Sequence, residues 1–202
     1  MKKKVGLYFG TFNPIHVGHL IIANHFVEAT ELKEVWFVVT PHNPHKNKAN
    51  LLDDHHRLAM VREAIYDNPK LKASNIEFDL PKPSYTVYTL QVLKEKYPDI
   101  EFALIMGEDN LRTLHKWKNH EYILENYNIY VYPRVYTVQE LESEEQSNNE
   151  FTDLKNVHFN ADAPIMRVSS SYVRDAIKKG QHVRYLLTDP VFHYLDSMNF
   201  YK

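Results

Sequence analysis

The chain has 202 residues, 44% of them hydrophobic and 25% charged, a length and balance that suit one globular domain with a sizeable core. A formal charge of −2 excludes a global basic field, so no nucleic-acid partner is expected. No cysteine is present, which removes disulfides and thiolate chemistry, and no apolar run approaches a membrane span, so the expected location is cytoplasmic with no membrane partner.

In chain order, Val5–Phe9 reads as a short buried strand and Leu20–Val27 as the body of a helix. Val35–Val39 reads as a second strand. Asp53 or Asp54 can cap a helix running through Arg57, Leu58, Met60, Val61, Ala64 and Ile65. Asn75–Leu80 alternates like a strand. Ser84 can cap a helix from Tyr85 to about Tyr97, stopped by Pro98. Strands are expected at Ile100–Met106, Asn128–Tyr132 and Asn156–Phe159. A helix opens at Arg167–Arg174 and closes at Lys178, Lys179 and Gly180, and a last one begins at Asp189-Pro190 with Val191, Tyr194, Leu195 and Met198 on its packing face. Residues 139–150, acidic and polar, read as a solvated surface segment. The β-then-α alternation predicts an α/β fold: a Rossmann-like, doubly wound parallel sheet with helices on both faces and a small helical C-terminal part.

Such folds bind ligands at the carboxyl ends of their strands. Those ends carry Gly10–His19, the Thr40–Lys48 stretch and Gly107-Glu108-Asp109, which are expected to face one crevice. Gly10-Thr11-Phe12-Asn13-Pro14-Ile15-His16-Val17-Gly18-His19 is the most informative segment. A strand, a glycine-bearing turn and a helix start aim backbone N–H groups and a positive dipole end at one point, which suits a phosphate. His16 and His19 add donors there. Gly18 inside a first helical turn costs roughly 1 kcal/mol relative to alanine, so close approach of something is implied. The segment is neither the dinucleotide fingerprint nor the lysine-bearing phosphate loop.

Arg167-Val168-Ser169-Ser170-Ser171-Tyr172-Val173-Arg174 is the second such segment. One serine suffices for a cap, whereas three serines with Arg174 exceed that need. An arginine at a helix start opposes the dipole unless an anion is shared. Hydroxyls, free N–H groups and a guanidinium together suit a triphosphate.

The two segments, G-T-F-N-P-x-H-x-G-H and V-S-S-S-x-x-R, resemble the H-x-G-H and I-S-S-T-x-x-R motifs of the nucleotidyltransferase superfamily. Within it, Pro41-His42-Asn43-Pro44-His45-Lys46, Pro83-Ser84-Tyr85-Thr86 and Gly107-x-Asp109 followed by Trp117 are most similar to the bacterial nicotinate mononucleotide adenylyltransferases. Asn13, Val168 and Ser171 replace the aspartate, isoleucine and threonine common there. The resemblance covers essentially the whole chain as a single nucleotidyltransferase domain, with residues 168–202 as its helical end.

It implies transfer of AMP from ATP to nicotinate mononucleotide, giving deamido-NAD and pyrophosphate in NAD biosynthesis. It implies His16, His19, Lys46 and Arg174 as catalytic residues. ATP would be held by Gly10, Thr11, Phe12, His16, Gly18, His19, Gly107, Asp109, Ser170, Ser171 and Arg174. The mononucleotide would meet Asn13, Lys46, Ser84, Tyr85, Thr86 and Trp117. Mg²⁺ is expected on the ATP phosphates, with no metal site of the protein's own. Monomer or homo-oligomer is left open.

Two alternatives stand beside this reading. Another superfamily member, such as a phosphopantetheine adenylyltransferase or a cytidylyltransferase, would share the His16–His19 turn but not need Tyr85-Thr86 with Trp117. A zinc-binding structural module would use His16-x-x-His19 with His42-x-x-His45, a spacing that is a weak signal without cysteines.

Overall fold

The computed structural model describes residues 2–41, 51–133, 151 and 154–202. Six strands form one sheet in the order β3-β2-β1-β4-β5-β6: β1 Lys3–Gly10, β2 Glu34–Val39, β3 Leu71–Ser74, β4 Ile100–Gly107, β5 Ile129–Tyr132 and β6 Val157–Phe159. Every neighbouring pair is parallel, with Leu7 opposite Trp36 on one side and Leu104 on the other. The helices are α1 Val17–Ala29, α2 Asp54–Ile65, α3 Thr86–Lys96, α4 Glu108–Arg112, α5 His120–Asn126, α6 Ser170–Lys178 and α7 Asp189–Ser197.

Strand side chains alternate between two cores because both sheet faces are covered. Tyr8, Val35, Phe37, Ile105 and Tyr130 pack with α1, α2, α6 and α7. Val5, Leu7, Trp36, Val38, Leu104 and Val131 pack with α3, α4 and α5. This accounts for strands that read as unbroken apolar runs. The expected doubly wound α/β architecture is the one observed, and the reversal of strand order falls between β1 and β4.

Three local expectations need correction. Asn75–Leu80 is not a strand: its backbone folds into turns, with Phe78 N–H donating to Asn75 O at 2.9 Å. The edge strand is the preceding Leu71–Ser74, which pairs with Val35–Val38. Glu77, an outward residue in the alternating reading, is buried. Ser84 does not cap α3; Tyr85 occupies that position and Ser84 is buried. Met198 is exposed at the end of α7, whose packing face is Val191 and Leu195.

The other caps follow their sequence signals. Asp53 accepts from His55 N–H at 2.8 Å, Ser169 accepts from Tyr172 N–H at 3.1 Å, and Gly180 follows α6 at φ +69°. Among the described residues, no helix is long and apolar enough to cross a membrane.

Candidate active site

The β1–α1 turn and the β4–α4 turn lie on either side of the topological switch. His16 is the residue before α1 and His19 sits in its first turn. Their rings stack with centroids 3.7 Å apart and planes at 24°. His16 N–H donates to His19 Nδ1 at 3.2 Å, so His19 takes the place of the glutamate that closes a capping box. An Nδ1 that accepts from a backbone N–H carries no proton, which puts the proton of neutral His19 on Nε2. Burial holds the His16 imidazole down to about 4, so this ring is neutral at physiological pH. The positive field at the turn therefore comes from the helix start, not from His16. α1 has no acidic residue in its first turn to cancel that field.

Aromatic packing sets the back wall. Phe12, buried and at φ +45°, meets His19 edge-on with centroids 5.2 Å apart. Tyr8 lies edge-on to Phe12 at 5.9 Å and to His19 at 6.0 Å. Gly18 has a packing reason: a Cβ there would lie 2.8 Å from Val168 Cγ1 and 3.1 Å from His16 Nδ1. The close approach is thus between α1 and the segment that leads into α6.

That segment brings the second set of predicted residues to the first. Ser170 Oγ–H donates to Pro14 O at 2.9 Å, and Arg174 Nη1 donates to Asn13 O at 2.8 Å. Arg174 Nη2 also donates to Ser171 Oγ at 3.1 Å. The start of α6, like that of α1, carries no acidic residue. Two helix N-termini, two imidazoles, hydroxyls and a guanidinium form a donor set suited to anions.

Across the switch, the Tyr8 and Tyr132 hydroxyls are 3.2 Å apart. Burial raises the pKa of both phenols, and the Asp109 carboxylate raises it further, which keeps them neutral. Asp109 is exposed at the start of α4. A Cβ on Gly107 would lie 2.5 Å from Asp109 Oδ1 and 3.1 Å from the Tyr132 ring, so only glycine leaves that carboxylate in place.

The start of α3 and the Trp117 segment also meet. Lys118 Nζ lies 4.9 Å from the Tyr85 ring centroid and 4.8 Å from that of Tyr88. Trp117 is half-buried against the α3-side core. Beneath Ser84, the buried Glu77 accepts from Thr89 Oγ1–H at 2.7 Å. Burial raises the Glu77 pKa against the opposing influence of the Thr89, Thr40 and Ser84 hydroxyls. Lys46, His42, His45 and the acidic 139–150 stretch lie outside the described residues.

Two residues absent from the sequence reading of the site contact it from behind. Arg57, 1% exposed, donates to the carbonyls of Thr11, Thr40, Pro41 and Leu52. Its signal was a charged residue on the apolar face of α2. Tyr201 donates to Asn13 Oδ1 at 2.6 Å across 188 positions of sequence, and nothing local announces it.

The Cytidylyltransferase-like family matches residues 7–176. A Flavobacterium johnsoniae protein named "Probable nicotinate-nucleotide adenylyltransferase" is 57% identical over 199 residues, 98% of this chain and 99% of its own length. One of the same name from Christiangramia forsetii is 54% identical over the full length of both. In fold, the chain is similar to the Plasmodium falciparum nicotinic acid mononucleotide adenylyltransferase solved with NaAD, at a TM-score of 0.77 and 18% identity over 98% of this chain and 97% of that one. All the motif-bearing turns, from Gly10 to Arg174, lie within the matched residues, and the chain belongs to the cytidylyltransferase-like nucleotidyltransferases and, among them, to the nicotinate-nucleotide adenylyltransferase family.

Proposed function

We propose that the protein transfers AMP from ATP to nicotinate mononucleotide, forming deamido-NAD and pyrophosphate, in NAD biosynthesis in the cytoplasm. The observation that carries this reading is the convergence of the His16–His19 turn and the Ser170–Arg174 turn, joined through Pro14 O and Asn13 O. The relatives' shared name supplies the acceptor.

The acceptor phosphate has a second pKa of about 6 and is already ionised at neutral pH. No general base is needed. Catalysis is then alignment plus stabilisation of charge on the α-phosphate and the leaving pyrophosphate. His19 donates from Nε2–H to the reacting phosphoryl oxygen, and neutral His16 fixes the His19 ring by stacking. Gly10, Thr11, Phe12 and Gly18 shape the turn under the phosphates. Ser170, Ser171 and Arg174 take the β- and γ-phosphates, and Lys46 neutralises substrate phosphate.

Gly107 and Asp109 receive adenosine, with the Asp109 carboxylate suited to ribose hydroxyls. Tyr85, Thr86 and Trp117 face the mononucleotide, with the buried Asn13 and Ser84 acting from behind the backbone that meets it. The α3 start, with no acidic residue in its first turn and the Lys118 ammonium beside Tyr85, favours a carboxylate over a neutral carboxamide. The donors around the phosphate turn are N–H, imidazole, hydroxyl and guanidinium groups, which fit Mg²⁺ arriving on ATP oxygens rather than on a carboxylate site. When bound with ATP, the ion would supply charge neutralisation of the triphosphate.

The test is product identification by mass spectrometry after incubation with ATP, Mg²⁺ and nicotinate mononucleotide. The expected product is the deamido dinucleotide with one pyrophosphate per turnover. No dinucleotide product would overturn the proposal.

A further inference from the structure

The phosphate turn is braced from outside as well as by its own capping bonds. Asn13 is 4% exposed, and its Oδ1 accepts both the Tyr201 hydroxyl at 2.6 Å and Leu52 N–H at 3.2 Å. Its carbonyl accepts Arg174. Two residues earlier, Thr11 O accepts Arg57 Nη1 at 2.7 Å. The same guanidinium reaches Thr40 O at 2.8 Å, Pro41 O at 3.3 Å and, through Nε, Leu52 O at 2.9 Å. Leu52 is used from both sides, its carbonyl by Arg57 and its N–H by Asn13. The result is a polar support behind residues 11–14, whose continuation carries His16 and His19.

Simple chain packing does not require this arrangement. A buried guanidinium is costly to desolvate, and burial lowers the Arg57 pKa. Asp53 and Asp54 are the carboxylates that oppose that shift, and Tyr201 also faces the group. The C-terminal segment that reaches Asn13 has two non-glycine residues, Asn199 at φ +53° and Tyr201 at φ +65°, in the left-handed region. Both features cost stability, and both end on one turn, Arg57 on the Thr11 carbonyl and Tyr201 on the Asn13 side-chain oxygen.

We propose that Arg57 and Tyr201 are positioning residues for the adenylyl-transfer step: acting through Thr11 and Asn13, they set where the His16–His19 pair stands relative to the α-phosphate. The assignment rests on the function proposed above. It places a determinant of turnover 188 positions along the chain from the turn it supports.

Tyr201→Phe deletes one hydroxyl and keeps the ring. The expected result is a kcat lowered about 5- to 10-fold, with both KM values changed by less than about 2-fold. In a His19→Ala background the same substitution is expected to cause no further loss, because the residue it positions is gone. Arg57→Lys keeps the charge but not the fork, and is expected to lower kcat by about 100-fold. Should that variant fail to fold, Tyr201→Phe decides the matter. A Tyr201→Phe enzyme with wild-type kcat well below its melting temperature would overturn the proposal, as would an equal fold-loss with and without His19. Wild-type protein that turns over no nicotinate mononucleotide would overturn the functional reading itself, and this assignment with it.

Discussion

His16 shows how burial redefines a side chain. Its sequence position suggests a protonatable donor, yet its environment excludes the charged form, so His16 adds no positive charge to that of the dipole and nearby cations. The same burial predicts an acid sensitivity with a definite sign. The folded-state value lies below the unfolded one, so the unfolded chain binds the extra proton between pH 6.5 and about 4. Stability from this group is fully present above pH 6.5 and is lost as pH falls through that window, by up to about 3 kcal/mol. Denaturant melts across the window should show a shallower loss in His16→Gln than in the wild type. Parallel curves would mean that the ring is not held neutral. The pair His16 and His19 was visible in the sequence because its spacing is local. Arg57 and Tyr201 were not, since Arg57 binds carbonyls, which no residue type announces, and Tyr201 reaches Asn13 only after the whole chain has folded.

Among the elements, those closed by local chemistry were the most readable. The helix starts at Asp53 and Ser169 and the stop at Gly180 follow from side-chain caps and one left-handed glycine. The edge strand β3 was misplaced because Asn75–Leu80 alternates better than Leu71–Ser74, while the actual choice is made by pairing with β2. Gly18 illustrates a constraint between elements. Gly18→Ala gains about 1 kcal/mol of helix propensity but overpacks α1 against the stiff Val168 side chain, a cost of about 1–3 kcal/mol. We expect a melting temperature a few degrees lower, with kcat reduced at least about 10-fold, out of proportion to the stability change. Thermal melts alongside steady-state kinetics check this, and unaltered turnover would show that the His16 ring tolerates the displacement.

Taken whole, the molecule brings its candidate site residues to the place where a doubly wound sheet leaves a crevice, at the reversal between β1 and β4. We propose that the chain is one domain, since α6 and α7 complete the same core as α1 and α2. A net charge of −2 coexists with a cationic site because Arg57, Arg174 and two helix starts converge on one turn. We propose that the reaction follows from that turn, and the choice of acceptor from the distant α3 start with Trp117 and Lys118. The most direct measurement is kcat/KM for pyrophosphate release with ATP and, in parallel, nicotinate mononucleotide, nicotinamide mononucleotide and phosphopantetheine. The expected order has nicotinate mononucleotide first, ahead of its amide by at least about 10-fold, as a carboxylate at a helix start requires, and phosphopantetheine inactive. Equal rates with the acid and the amide, or turnover of phosphopantetheine alone, would contradict it.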